Sequence, residues 1–340
     1  MNSLNKNRVI SLVVFLTCTV SPLLANTDID FSPDGKQISF SSVAGLNAIF
    51  AEGGVVRPLG GGQGGTWSHW APDGRSILFA VGVNGRSTLK VYNADKNTSS
   101  AIGADMDRPT AWREDGRKFA ATHIKPDNHA EIIQYSLLDS GISLRTDVDV
   151  MPSGDQMVWL PSSDDVAYLG VDGNIYTVEA GEAHKITTSY DVLGLALSAD
   201  GKSLIWARHG PNLKYILFSV YSYDLQQRSA VRIPYAERFD TINPNTKIAP
   251  NTIEKVIFSS DANHALVFVT VADSKDANTT WNEVHLVKSD GTGGKLIARM
   301  KGNASPSAAF SKDGKMLAVH MGSVLKSMSV ATGQIKIIAH

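Results

Sequence analysis

Residues 26–340 show no sustained helical period. Short runs of alternating or wholly apolar residues recur instead, each bounded by Gly, Pro, Asp or Ser, as expected of β-strands. One pattern organises them. An aromatic or apolar residue, a small or polar pair, Asp-Gly, and Lys or Arg precede a β-rich run. It reads Phe31-Ser32-Pro33-Asp34-Gly35-Lys36 before Ile38-Ser39-Phe40, and Trp70-Ala71-Pro72-Asp73-Gly74-Arg75 before Ile77-Leu78-Phe79. It returns at Trp112-Arg113-Glu114-Asp115-Gly116-Arg117, at Leu197-Ser198-Ala199-Asp200-Gly201-Lys202 and at Phe310-Ser311-Lys312-Asp313-Gly314-Lys315. Degenerate copies start at Trp159 and Phe258.

The seven copies recur every 38 to 61 residues, measured at positions 34, 73, 115, 162, 200, 261 and 313. Each has about four short β-runs. In the first copy, Ala48-Ile49-Phe50-Ala51 and Val55-Val56-Arg57-Pro58-Leu59 supply the second pair. Asp-Gly between β-runs marks a hairpin, because Gly reaches positive φ and Asp bonds nearby amides. Single Asp residues, one per copy, lack the clustered oxygens that calcium takes, so they read as turns. The period predicts an all-β chain, a β-propeller of seven four-stranded blades, with six as the alternative count. The motif aromatic is expected to pack between adjacent blades. The chain starts with a first strand and ends with a fourth, so ring closure is expected to rest on packing rather than strand exchange.

The amino terminus departs from this pattern. Lys6 and Arg8 precede an apolar stretch from Val9 to about Val20, followed by Ser21-Pro22-Leu23-Leu24-Ala25. This is the pattern of a secretory signal, with cleavage expected after Ala25. The apolar run is shorter than the roughly 20 residues of a membrane span, which favours cleavage over an anchor. Residues 1–25 are therefore read as signal and 26–340 as one propeller domain, periplasmic or secreted. Cys18 is the chain's single cysteine and falls in the signal. Phe15-Leu16-Thr17 ahead of it lacks the small residue that lipoprotein processing prefers. The mature chain thus offers no disulfide, thiol nucleophile or thiolate metal site.

Charge narrows the partners. The whole chain carries a formal −1, and removal of Lys6 and Arg8 leaves 30 basic against 33 acidic side chains. Such a body gives no electrostatic reason to bind nucleic acid or anionic lipid.

The Pro-Asp-Gly-Lys/Arg motifs at Pro33 and Pro72, with their variants, resemble the repeats of the TolB-like (WD40-like) propeller family. Similar repeats occur in the propeller halves of prolyl oligopeptidase relatives and in oligogalacturonate lyases. TolB proteins carry an α/β domain ahead of a six-bladed propeller. The first repeat here begins a few residues after the signal, so the resemblance is expected to cover the propeller alone. It implies the fold and an envelope binding role by analogy, since propellers host many activities.

Candidate chemistry is sparse. Interblade loops and those joining second to third strands share one face, and the Asp-Gly turns lie on the other. The first face is expected to carry ligands, because its loops are free to vary. The long connection from Pro234 to Asn251 contributes Tyr235, Arg238 and Phe239 there. The segment Gly60 to Gly65 lacks the Gly-Lys-Ser/Thr ending and following helix of a phosphate loop. Trp67 and His69 follow it on an innermost strand, and Arg108, Tyr190 and Asp191 begin others. These eight residues are the expected ligand contacts. His123, His209 and His320 each end a second strand, and three imidazoles can hold a divalent metal. Oligogalacturonate lyases bind a metal through histidines, so this resemblance implies a metal-dependent carbohydrate-active enzyme as the alternative. Against it, the blades lie apart and their second strands are not innermost. Neither G-x-S-x-G nor H-E-x-x-H occurs. No catalytic residue and no cofactor are predicted. The expected protein is a monomeric binding module for an envelope protein or a small ligand.

Overall fold

The computed structural model of the chain describes residues 29–42, 45–60, 65–83, 86–161, 163–198, 200–209, 218–233, 252–260, 263–272, 279–288, 294–302, 306–322 and 324–339. The expected signal and the residues Tyr235, Arg238 and Phe239 lie outside them. The described residues form 28 strands in seven four-stranded antiparallel sheets, each made of four consecutive strands. The protein is a seven-bladed β-propeller. Among the described residues no helix is long and apolar enough to cross a membrane.

The innermost strands, in blade order, are Ile29–Phe31, Gly65–Trp70, Met106–Trp112, Pro152–Trp159, Val192–Leu197, Thr252–Phe258 and Ser307–Phe310. Each ends at a motif aromatic or, in blade 5, at Leu197. The turn that follows is locally hydrogen-bonded. In blade 1, the Ser32 hydroxyl donates to Asp34 Oδ1 at 2.6 Å and Lys36 N donates to the same oxygen at 3.1 Å. Gly35 N donates to Ser32 O at 2.8 Å, with Gly35 at φ +69°. That φ is one a β-carbon disfavours, which is why Gly stands there. Ser198-Asp200-Lys202 and Ser311-Asp313-Lys315 repeat the same bonds. The hydroxyl beside each of these aspartates holds its carboxyl below the usual range. In blade 3, Arg113 stands in the serine's place and does the same for Asp115. These carboxylates are occupied with their own turns, as the repeat reading expects.

The core lies between blades. Seven apolar clusters fill the seven interfaces, and the motif residue sits in each. Trp112 packs with Leu78, Leu89 and Phe119 between blades 2 and 3, and Trp159 with Ala120, Ile132 and Tyr168 between blades 3 and 4. Full burial of an aliphatic or Phe side chain contributes roughly 1.5–3 kcal/mol, so these interfaces dominate the cohesion of the ring. The closing interface follows the same plan. Phe31, Ile38, Phe40 and Ile49 of blade 1 pack against Ala318, Leu325 and Ile338 of blade 7. Among the described residues no strand pairs across that seam.

Candidate functional site

The innermost strands surround a central cavity of about 510 Å³. The residue just before the motif aromatic lines it in blades 1, 2, 4, 6 and 7, as Asp30, His69, Val158, Ile257 and Ala309. Blade 3 contributes Arg108 and Thr110. The lining is one-sided. Blades 1–3 supply Asp30, Ser68, His69, Arg108 and Thr110 beside Ile29 and Trp67, whereas blades 4, 6 and 7 supply Met157, Val158, Ile257, Phe258, Ala308, Ala309 and Phe310 with Ser260 and Ser311. Lys255 and Lys312 join the second wall.

The polar wall is tied across blades. Asp30 Oδ1 accepts from Phe31 N at 2.9 Å, and Oδ2 accepts from Trp70 N of the next blade at 2.7 Å. Desolvation raises the Asp30 carboxyl above its ordinary value, opposed by the charge of His69 and by these two amides. His69 Nδ1 lies 3.2 Å from Thr110 Oγ1, and Trp112 Nε1 donates to His69 O at 3.3 Å. The Ser39 and Ser68 hydroxyls meet at 3.0 Å. On the other side, Gln156 bridges blades 4 and 5, its Oε1 accepting from Leu195 N at 2.6 Å and its Nε2 donating to Leu193 O at 3.4 Å.

The channel opens toward the Asp-Gly turns. A wider cavity of about 1180 Å³ lies there, lined among others by Pro72, Trp112, Trp159, Pro161 and Asp200. Lys312 lines both cavities and so marks their junction. Arg113 and Lys118 hold Asp164 at its rim, at 3.1 and 2.7 Å. This wider cavity is on the turn face; several loops of the opposite face, favoured from sequence, lie outside the described residues.

Three of the expected contacts, Trp67, His69 and Arg108, do line the channel. Trp67 is also buried between blades 2 and 3. Tyr190 and Asp191 precede the innermost strand of blade 5 and line none of the three cavities described between the blades and along the axis. Asp191 is instead paired with Arg208, at 2.7 and 3.1 Å. Tyr190 is exposed at φ +59°, with Lys185 Nζ 5.0 Å from its ring centroid. Sequence reasoning passed over Asp30, Thr110, Lys255 and Lys312. Asp30 holds the same offset from its motif aromatic as His69, and that offset was the available signal.

The described histidines have separate surroundings. His123 Nδ1 lies 2.8 Å from Glu131 Oε1, and Glu131 is also paired with Arg145 and Lys125. His320 is buried in blade 7; burial pushes its imidazole below the ordinary value, and its Nε2 has no hydrogen-bond partner. The side chain of His209 lies outside the described residues. Among the described residues no group of three or more His, Cys, Asp or Glu is placed to hold a metal ion.

No protein-family model and no curated protein matches the sequence. Solved structures do resemble the fold. The β-propeller domain of the Trilobed protease from Pyrococcus furiosus, described as having an open velcro topology, matches with a TM-score of 0.60 and 14% identity over 92% of this chain and 96% of that one. An oligogalacturonate lyase in complex with manganese matches with a TM-score of 0.60 and 12% identity over 92% and 88%. TolB from Acinetobacter baumannii matches with a TM-score of 0.49 and 14% identity, over 94% of this chain and 65% of that chain, just under two thirds of TolB's length. At these identities the first two likenesses establish the propeller fold and nothing finer.

Proposed function

We propose that this chain is an exported binding propeller that takes a small ligand in its central channel. The observation that carries this reading is the channel itself, a cavity of about 510 Å³ with a hydrogen-bonding wall and an apolar wall. Its volume lies within the roughly 300–1,000 Å³ typical of small-molecule sites. A few convergent polar groups against apolar lining is the composition such sites share. The amino-terminal basic and apolar segment supports export to the periplasm or beyond.

The test is a thermal-shift screen of the purified chain with small organic anions, sugars and peptides, followed by titration of any hit. A channel ligand raises the melting temperature saturably and perturbs fluorescence, since Trp67 lines the wall. His69→Leu weakens it while the free variant stays folded. A hit unaffected by His69→Leu and Arg108→Gln places the ligand elsewhere and overturns the reading. Turnover of a hit without saturable binding replaces it with an enzyme.

A further inference from the structure

We propose that the joint between blades 7 and 1 is an acid-sensitive clasp, released when His320 takes up a proton. This goes beyond ligand binding in the channel and does not rest on it.

The place of the imidazole is the first support. His320 lies on the second strand of blade 7, Met316–Met321. Side chains alternate along a strand. Leu317 and Val319 pack toward blade 6, whereas Ala318 packs in the cluster shared with blade 1. His320 takes Ala318's side. Its cross-strand partner Leu325 belongs to that same cluster, and His320 is 3% exposed.

Its bonding is the second. The ring is hydrogen-bonded to the backbone of Gly322, but Nε2 has no partner. A neutral ring leaves there only an idle acceptor. A protonated ring leaves a charged donor among apolar side chains, which is far more costly. His285, the other buried histidine of the described residues, differs: its Nε2 lies 2.9 Å from Glu283 Oε2.

Nothing described nearby offsets such a charge. Ser307 and Ser327 share its side in blade 7, and Ile29, Phe40, Asn47 and Ile49 line the seam from blade 1. Asp30 turns away to Trp70 N of blade 2. Lys336, on the outermost strand of blade 7, and Glu52, beside the Gly53 that packs on Ile338, are both exposed at the rim.

The joint itself makes the charge effective. Blades 7 and 1 are not consecutive and no described strand pairs across them, so parting them breaks no ladder. Burial holds the His320 imidazole below its ordinary 6.5, so the opened joint binds the proton more tightly. Cohesion is therefore full above the ordinary value and is lost as pH falls through the folded one.

The experiment reads thiol exposure. Cys18 is the chain's single cysteine. With it removed by processing or by Cys18→Ser, Ala318→Cys puts a thiol on the seam, and Ala121→Cys puts one between blades 2 and 3. Labelling by dithiodipyridine, which reacts in mild acid, is compared with a free thiol peptide at each pH. Between about pH 7 and pH 5, labelling at the seam is expected to rise about tenfold, as one linked proton gives per pH unit. The thiol between blades 2 and 3 stays slow. His320→Leu and His320→Gln each remove the rise, whereas Asp28→Asn, Glu52→Gln and Lys336→Gln keep it; Asp28 is included because it lies outside the described residues.

Equal acceleration of both thiols means general acid unfolding and overturns the clasp. So does a rise that survives either His320 variant, or one that vanishes with Asp28, Glu52 or Lys336. Should neither His320 variant fold, the His320 ring resonances are titrated in the parent chain. A labelling midpoint that departs from that titration then overturns the proposal, and one that coincides supports it.

Discussion

The two walls of the channel are built from equivalent positions on equivalent strands and both combine cross-blade hydrogen bonds with apolar packing, yet they do so in different proportion. On the wall of blades 1–3, side chains reach across blade boundaries to hydrogen-bond: Asp30 to Trp70 N, and His69 to Thr110. On the other wall, Phe258 is 8% exposed and does double duty, lining the cavity and packing in the cluster between blades 5 and 6. The repeat sets where a side chain sits, and local substitution sets what it does there. A propeller can therefore make one arc of its channel polar without losing cohesion, provided each polar group bonds to the next blade.

The sharpest way to break this comparison is to empty the apolar wall. Phe258→Ala is expected to cost about 3–5 kcal/mol, read as a lower denaturation midpoint. A loss under about 1 kcal/mol means that the blade 5–6 interface relaxes around the cavity. On the polar wall, Asp30→Ala leaves the amides of Phe31 and Trp70 without their acceptor, at a cost of about 1–3 kcal/mol. Asp30→Asn sharpens the same point through pH. The Asp30 carboxyl lies above its ordinary 3.8 in the fold, so the folded chain binds its proton more tightly than the unfolded chain. Its stabilising contribution is full below the unfolded value and is lost as pH rises through the folded value. Asparagine does not titrate, so the stability difference is expected to move in favour of Asp30→Asn as pH rises above the ordinary 3.8 and through the higher folded value. Urea unfolding at each pH reads it, and a difference that stays flat or moves the other way refutes the assignment. Thr110→Val is the mildest change, removing one hydrogen bond to His69 for about 1 kcal/mol.

The fold was legible because its instructions are local. Asp34 and Gly35 form a turn with Ser32 and Lys36, all within five residues, and the same chemistry recurs at Asp200 and Asp313. The packing of Phe31, Trp70, Trp112 and Trp159 between blades followed from their place in that repeat. The site was only partly legible, because convergence is not local. His69 and Arg108 were found by their place on innermost strands, and Lys255 was missed although it too lies on one. Histidines at matching ends of second strands need not meet: His123 is spent on Glu131, and His320 is buried in blade 7. Tyr190 and Asp191 sit at a strand entrance, as read, but Asp191 turns to Arg208.

The seam between blades 1 and 7 has a thermal consequence. Every joint between blades is apolar, but the others are also crossed by the chain passing from one blade to the next, whereas blades 1 and 7 are not consecutive and meet through Phe31, Phe40, Ile49, Leu325 and Ile338. Apolar cohesion weakens on cooling. The joint is thus the place where the ring loosens first in the cold, giving side entry to the channel while every blade keeps its sheet.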